Sequence, residues 1–254
     1  MNNSETNHSY RRFFIDPENI KDGIANIKGS DANHLKNVLR MKKKDAVTLF
    51  DGQGLIHSAQ IREIQHDEII LEIFETNKEP ERIPQIILAQ SFLKEKKLDA
   101  LIRQLTELGV SKIIPFFSER SIPNPDSKKI QNRHDRWNKI ALESLKQCQR
   151  NLLPEISIPM SFNETIRIGQ ECDVKIIFWE NETSPLKKTL STCTPNPKKI
   201  IILLGPEGGF STKEIDIATG SDFITCSLGP RILKAETASI AAMTLLQFFF
   251  GDMG

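Results

Sequence analysis

No run of apolar residues in this chain approaches the roughly 20 needed to cross a membrane as a helix. The opening MNNSETNHSY also lacks the apolar core of a signal peptide. A cytoplasmic location with no membrane partner is the expectation. Cysteine is sparse: Cys148, Cys172, Cys193 and Cys226 stand far apart with no CxxC spacing. That argues against both a zinc site and a disulfide framework and leaves buried thiols in a reducing compartment. No metal is expected. Charge of one sign is lacking too. The net charge is +1, so binding to a polyanion must come from local patches rather than from the whole molecule. There is no internal repeat and no low-complexity tract. Two phosphate-binding signatures are missing. The chain has no G-x-G-x-x-G, and GPEGGFSTK (205–213) lacks the lysine that follows the second glycine of a P-loop.

What is present suffices for two domains with a real core. Of the 254 residues, 39% are hydrophobic and 26% charged, as is ordinary for globular proteins. NKEPERIP (77–84) is polar and proline-bearing and marks the best boundary, so domains are expected at 1–77 and 78–254. Before it, short strands at 10–15, 47–50, 55–64 and 68–74 accompany one helix at 30–40, with a hairpin signal at Asp51-Gly52. That pattern suggests a small β-barrel. After it, strands at 85–89, 111–117 and 174–179 alternate with helices at 94–108, 126–148 and 162–168, which argues for a parallel sheet in an α/β domain. Residues 182–197 read as a loop or an irregular helix.

The last quarter organises the rest. Ile200 to Leu204 form a continuous apolar run, as expected for a strand buried on both faces. It stops at Gly205-Pro206. Glu207-Gly208-Gly209 then offers backbone with little side chain in the way of a ligand. Ser211 and Glu214 have capping-box spacing for the next helix. A second short strand at 223–228 ends at Gly229-Pro230, and Arg231, Lys234 and Glu236 follow at once. Residues 235–250 are apolar and alanine-rich and read as a buried or interface helix. Two glycine loops at the carboxyl edge of a parallel sheet point to a ligand crevice there.

GPEGGFSTKE (205–214) and LGPRILKAETA (228–238) resemble the two signature loops of the 16S ribosomal RNA uracil-N3 methyltransferase family, which belongs to the knotted SPOUT methyltransferases. NHLKNVLRM (33–41), LFDGQG (49–54), ELGVSKIIPFFSERS (107–121) and KIALESLKQCQRNLLPEI (139–156) resemble the family pattern in the same order. The likeness therefore covers nearly the whole chain, and LGPRILKAETA is its most specific string. It implies an α/β protein with an N-terminal PUA-like, RNA-binding β-barrel. A SPOUT domain follows, in which the two loops and the one after 174–179 thread a trefoil knot. It further implies S-adenosylmethionine as cofactor, S-adenosylhomocysteine as product, 16S rRNA of the small ribosomal subunit as partner, and a homodimer. The apolar last helix is compatible with dimerisation.

Close approach of backbone to a cofactor favours glycine, which Gly205, Gly208, Gly209 and Gly229 supply. Leu204, Leu228, Ile232 and Leu233 can wall an adenine, and Glu207 can reach an amino group. Uridine N3 carries a proton that is not acidic at neutral pH, so its methylation needs a base or an anion stabiliser. Arg231 is always cationic and can stabilise a uracil oxyanion or orient a phosphate. Glu236 can take the proton or orient Arg231, as can Glu207, or Arg231 and Glu236 can form a structural ion pair. For RNA the candidates are Arg11, Arg12, His34, Arg40, Arg120 and Arg150. The cluster of Arg40 with Lys42, Lys43 and Lys44 reads either as phosphate contact or as a solvated helix end. Gln104 and Lys146 depart from the family pattern, where lysine and glutamate are usual. A class I methyltransferase would show an acidic, glycine-rich loop near 86–91, and none is there. The competing class is an RNA-binding assembly factor that keeps the fold without the activity.

Overall fold

The computed structural model describes residues 12–80, 83–94, 96–122 and 126–253. The chain divides into two units, Met1–Glu81 with Leu145–Leu153, and Arg82–Ser144 with Pro154–Gly254.

The first unit is a six-stranded sheet. Its strands are β1 (Arg12–Phe14), β2 (Ile20–Lys21), β3 (Ile24–Lys28), β4 (Ala46–Phe50), β5 (Leu55–Ile64) and β6 (Glu68–Lys78). They lie in the order β1-β4-β5-β6-β3-β2, with β1 parallel to β4 and the other pairs antiparallel. Burial alternates with period two along β5 and the first half of β6, as a sheet with one covered face requires. Leu35, Leu49, Ile61 and Leu71 meet in the core. The short helix α1 (Gly29–Asn33) runs into a π-helical turn at His34–Val38, starting one residue before the helix expected at 30–40 and ending two before its end. The pair β2 and β3 has no strong sequence signal. The expected boundary at 77/78 falls inside β6.

Leu145–Leu153 group with the first unit, and Arg12 is one of their ties to it. Its guanidinium donates to the carbonyls of Gln149 and Arg150, the latter at 2.7 Å, and to Asn151 Oδ1. It also lies 4.1 Å from the centre of the Phe50 ring. Burial lowers its pKa below the ordinary arginine value. Asn151 in turn donates to Glu79 at 2.6 Å.

The second unit is wound around a wholly parallel sheet. Its strands are β7 (Gln85–Ser91), β8 (Lys112–Phe117), β9 (Glu155–Ile156), β10 (Met160–Ser161), β11 (Val174–Phe178), β12 (Lys199–Leu204) and β13 (Ile224–Cys226). The order is β10-β8-β7-β12-β11-β13, with β9 pairing β8. The helices are α2 (Lys97–Glu107), α3 (Ser127–Cys148), α4 (Phe162–Gly169), α5 (Leu186–Thr192), α6 (Thr212–Thr219) and α7 (Ala235–Phe250). β12 is buried from Ile200 to Leu204, because sheet neighbours flank it and helices cover both faces. α2 turns Leu98, Leu101, Ile102 and Leu105 into the core. α5 occupies part of the stretch read as a loop or irregular helix.

From the edge strand β13 the chain returns over the middle of the sheet, where α7 packs on β7 and β12 and beside α2. Gln247 Nε2 on α7 donates to the carbonyl of Leu108 at 2.9 Å. Gly109 follows with φ +87°, and a Cβ there would collide with the Gln247 amide. A helix-ending glycine is therefore also a close-approach glycine. Arg12→Met should cost about 1–3 kcal/mol of stability, because the acceptors at 149–151 lose their donors. Urea unfolding of the full chain measures it.

Candidate active site

Because its strands are parallel, the second unit's sheet presents the loops after β11, β12 and β13 on one edge. They line a cleft of about 960 Å³ that includes residues 178–183, 204–209 and 226–235, with Lys97 from α2.

The loop after β12 is held from below. The Gly209 N–H donates to the Pro206 carbonyl at 3.0 Å, and Gly209 has φ +68°. Phe210 then drops into the core, stacked on Phe116 with centroids 6.3 Å apart. A Cβ on Gly205 would crowd that ring at 3.3 Å. Ser211 caps α6 in the expected capping box with Glu214. The Ser211 hydroxyl is also 2.7 Å from Glu119, whose own N–H donates to Glu214 at 3.0 Å. Above the loop, Arg120 Nη1 donates to the Gly208 carbonyl at 3.0 Å. Arg120 therefore braces the glycine loop.

The loop after β13 is tied by Ser227, whose N–H donates to Ser184 O at 2.9 Å and whose carbonyl accepts from Leu186 N at 3.3 Å. Beyond it Gly229 has φ +106° and open space where a Cβ would stand. Ile232 is 90% exposed, an apolar side chain at the mouth of a partly apolar cleft. Arg231 lines the cleft, is exposed, and has no hydrogen-bond or ion-pair partner among the described residues.

Glu236 does not pair with Arg231. Its Oε2 lies 3.8 Å from Lys97 Nζ, is buried, and has no hydrogen-bond partner among the described residues. Lys97 Nζ also donates to Glu207 Oε1 at 3.0 Å, and the Lys94 N–H reaches the same oxygen at 3.3 Å. Lys97 thus joins the two signature loops, and sequence reasoning passed over it. Burial alone would raise the Glu207 carboxyl. Hydrogen bonds from Lys97, its own N–H and Lys94, with the Lys97 charge, bring it below the ordinary carboxylate value. A second unforeseen residue is Gln90, fully buried at the end of β7. Its Nε2 donates to the carbonyls of Leu204 at 3.4 Å and Gly205 at 3.1 Å, while its Oε1 accepts from Ser239 on α7.

The third loop carries its own staple. Glu182 accepts from Thr225 Oγ1 at 2.5 Å and from the N–H groups of Thr183 and Ser184 at 2.7 and 2.9 Å. The Thr225 bond and then the Ser184 bond push its carboxyl down to about 2. Burial pushes Cys172 up to about 11, so that thiol is not a nucleophile at neutral pH.

Of the RNA candidates in the first unit, His34 and Arg40 are exposed, and His34 makes an edge contact with the Phe13 ring at 5.7 Å. The Arg40 backbone has φ +51°. Arg12 is spent on its struts, and Arg150 lends its carbonyl to them. Arg11 lies outside the described residues.

Residues 79–247 match an RNA methyltransferase domain family, and residues 27–74 match an RNA methyltransferase PUA domain. The chain is 30% identical over 247 residues to Ribosomal RNA small subunit methyltransferase E of Bacillus subtilis, covering 94% of this chain and 96% of that protein. It is 34% identical over 248 residues to the enzyme of the same name from Buchnera aphidicola subsp. Acyrthosiphon pisum, covering 97% and 96%. The crystal structure of Ribosomal RNA small subunit methyltransferase E from Neisseria gonorrhoeae, bound to S-adenosyl methionine, superposes with a TM-score of 0.78 at 29% identity, over 96% of this chain and 99% of that one.

The Glu182 staple gives a pH signature. A carboxyl depressed in the folded state adds stability above its unfolded value, near 4.5, and that stability is lost as pH falls to about 2. Glu182→Gln should therefore be less stable than the parent at neutral pH. The gap should close between about pH 4.5 and about pH 2 in denaturation curves.

Proposed function

The chain belongs to the RNA methyltransferase family, and on that premise we propose that it methylates N3 of a uridine in 16S rRNA of the small ribosomal subunit, using S-adenosylmethionine and releasing S-adenosylhomocysteine. The observation that carries this is the convergence of the two signature loops and the loop after β11 on one cleft. N3 of uridine is supported by the likeness of LGPRILKAETA to the signature loop of uracil-N3 enzymes.

The residues present fit the cofactor. The cleft is within the usual 300–1,000 Å³ of small-molecule sites, and Gly209 in its first loop has the left-handed backbone that favours glycine. Leu204, Leu228, Ile232 and Leu233 wall the adenine. Gly205, Gly208, Gly209 and Gly229 let backbone approach the ligand, and Glu207 sits among them on Lys97. When bound, S-adenosylmethionine supplies an electrophilic methyl group on a sulfonium. The protein's task is to hold the uracil edge in line and to stabilise the charge left when N3 loses its proton. Arg231, unpaired on the cleft wall among the described residues, is the cation for that charge. Glu236 acts in proton removal from beside Lys97, whose ammonium is 3.8 Å away.

The first domain, residues 1–77, grips RNA through Arg11, His34 and Arg40, and Arg150 adds to that grip, while Arg12 stays in its struts to 149–151. Residues 78–254 catalyse, and their three cleft loops form a trefoil knot. Arg120 keeps donors beyond its bond to Gly208 for a phosphate. Leu245, Phe248 and Phe249 are exposed on α7 and form the homodimer contact. The enzyme works in the cytoplasm on small subunits.

Labelled S-adenosylmethionine with unmodified small subunits should place one 3-methyluridine in the 16S RNA by mass mapping. Label at another base would refute the N3 assignment, and no label would refute the activity. Arg231→Ala should lower kcat by roughly 10²–10³ at saturating RNA with little change in cofactor affinity. Intact turnover would remove Arg231 from the catalytic set.

A further inference from the structure

The second unit carries a row of cations that the cleft does not use. From Ser127 to Lys139, α3 bears Lys128, Lys129, Arg133, Arg136 and Lys139 against one acid, Asp135. The cations fall within about 140° of the helix circumference. Asp135 lies outside that arc and accepts from Gln131 at 2.9 Å. The opposite side of the helix is packed, with Trp137 and Ala141 buried. Because the whole chain has a net charge of only +1, this stripe is a local excess of positive charge. It is also held in place. Trp137 Nε1 donates to Asp99 on α2 at 3.1 Å, and the Ser144 hydroxyl donates to the Arg103 carbonyl at 3.0 Å. Arg136 lies 2.6 Å from the same Asp99 carboxylate. The Arg133 guanidinium sits 5.2 Å from the centre of the buried Phe92 ring. Phe92 directly follows β7, on the sheet edge where the cleft opens. Two residues further on, the Lys94 N–H reaches Glu207 of the first signature loop. The stripe therefore passes beside the cleft.

Lys128, Arg133 and Lys139 have no hydrogen-bond or ion-pair partner among the described residues. Like charges set side by side on one helix face repel, and a polyanion laid along them relieves that repulsion. A guanidinium resting on an aromatic ring keeps the donors on its rim for a phosphate. Along the axis, Lys128 and Lys139 are about 16 Å apart. A nucleic-acid strand, with a charge about every 3.4 Å, can follow that length. We infer that this face of α3 is a phosphate track, which binds the backbone of the RNA strand that delivers the target base to the cleft and does so without regard to sequence. The inference rests on the RNA substrate proposed above. It gives the second unit an RNA surface of its own, in addition to His34 and Arg40 of the first.

The test is titration of the full chain with single-stranded oligouridylate and oligoadenylate over a range of salt, read by fluorescence anisotropy. A variant combining Lys128→Gln, Lys129→Gln and Lys139→Gln removes charge without touching the packed face of α3. It should bind both RNAs roughly 10-fold more weakly than the parent, and the slope of log affinity against log salt should flatten by about 2. Its S-adenosylmethionine affinity by calorimetry and its unfolding midpoint should stay at parent values. Arg133→Gln should also weaken both RNAs, and Arg133→Lys should recover part of the loss. A control combining Lys187→Gln, Lys188→Gln and Lys198→Gln takes the same charge from exposed positions elsewhere on the unit, and its RNA affinity should stay near that of the parent. Equal weakening by the control and the α3 variant overturns the track, as does parent-like RNA affinity of both the α3 variant and Arg133→Gln. Weakening toward only one of the two sequences overturns the backbone reading. Failure of the parent to transfer methyl groups refutes the proposed activity alone, because the RNA titration reads the track without it.

Discussion

Every strand pair in the second sheet is parallel, and the cleft depends on that. A parallel strand needs a crossover to return, so each strand's carboxyl end falls on the same edge and each crossover helix covers a face. Helices on both faces bury β12 completely apart from its first residue. The same arrangement leaves the following glycines at the rim, where backbone can meet a ligand. Gln90 shows how closely rim and core are joined. Buried at the end of β7, it holds the Leu204 and Gly205 carbonyls with one end of its amide and Ser239 of α7 with the other.

Around that edge, carboxylates of one chemical type are given different work by their neighbours. Glu182 is a staple for its own loop, held ionised by hydroxyl and N–H donors. Glu214 closes a helix cap and receives the Glu119 N–H. Glu207 and Glu236 share Lys97, so that one ammonium from α2 spans both signature loops. Arg231 stands apart from these pairs. A guanidinium with no carboxylate to neutralise it is the kind of group that can meet charge developing on a substrate.

In the first unit the same logic runs the other way. Arg12 sits at the start of a strand, where a basic residue reads naturally as an RNA contact. Its partners at 149–151 lie 137 to 139 positions away, and they turn it into a strut. His34 and Arg40 have no such demands on them from the fold and remain exposed. Two arginines with equal standing in the sequence thus part ways once distant backbone carbonyls arrive.

What the chain's own order of residues determined was local. The β-branched run of β12, the Gly-Pro stops, the Ser211–Glu214 capping box and the apolar stripe of α2 each depend on neighbours within a few positions, and all are legible in the sequence alone. So is the alternation of strands and helices that demands a parallel sheet. The weak strands β2 and β3 are not, because pairing of β3 with β6, and of β2 with β3, supplies what their own residues do not. Only the tertiary structure brought Lys97 to Glu207 across 110 residues and Gln90 to Gly205 across 115, and only it set Glu180 on Gly209. A single polar residue on a helix or at a strand end carries no periodic signal. Its function is decided by which distant groups the fold places within hydrogen-bonding reach.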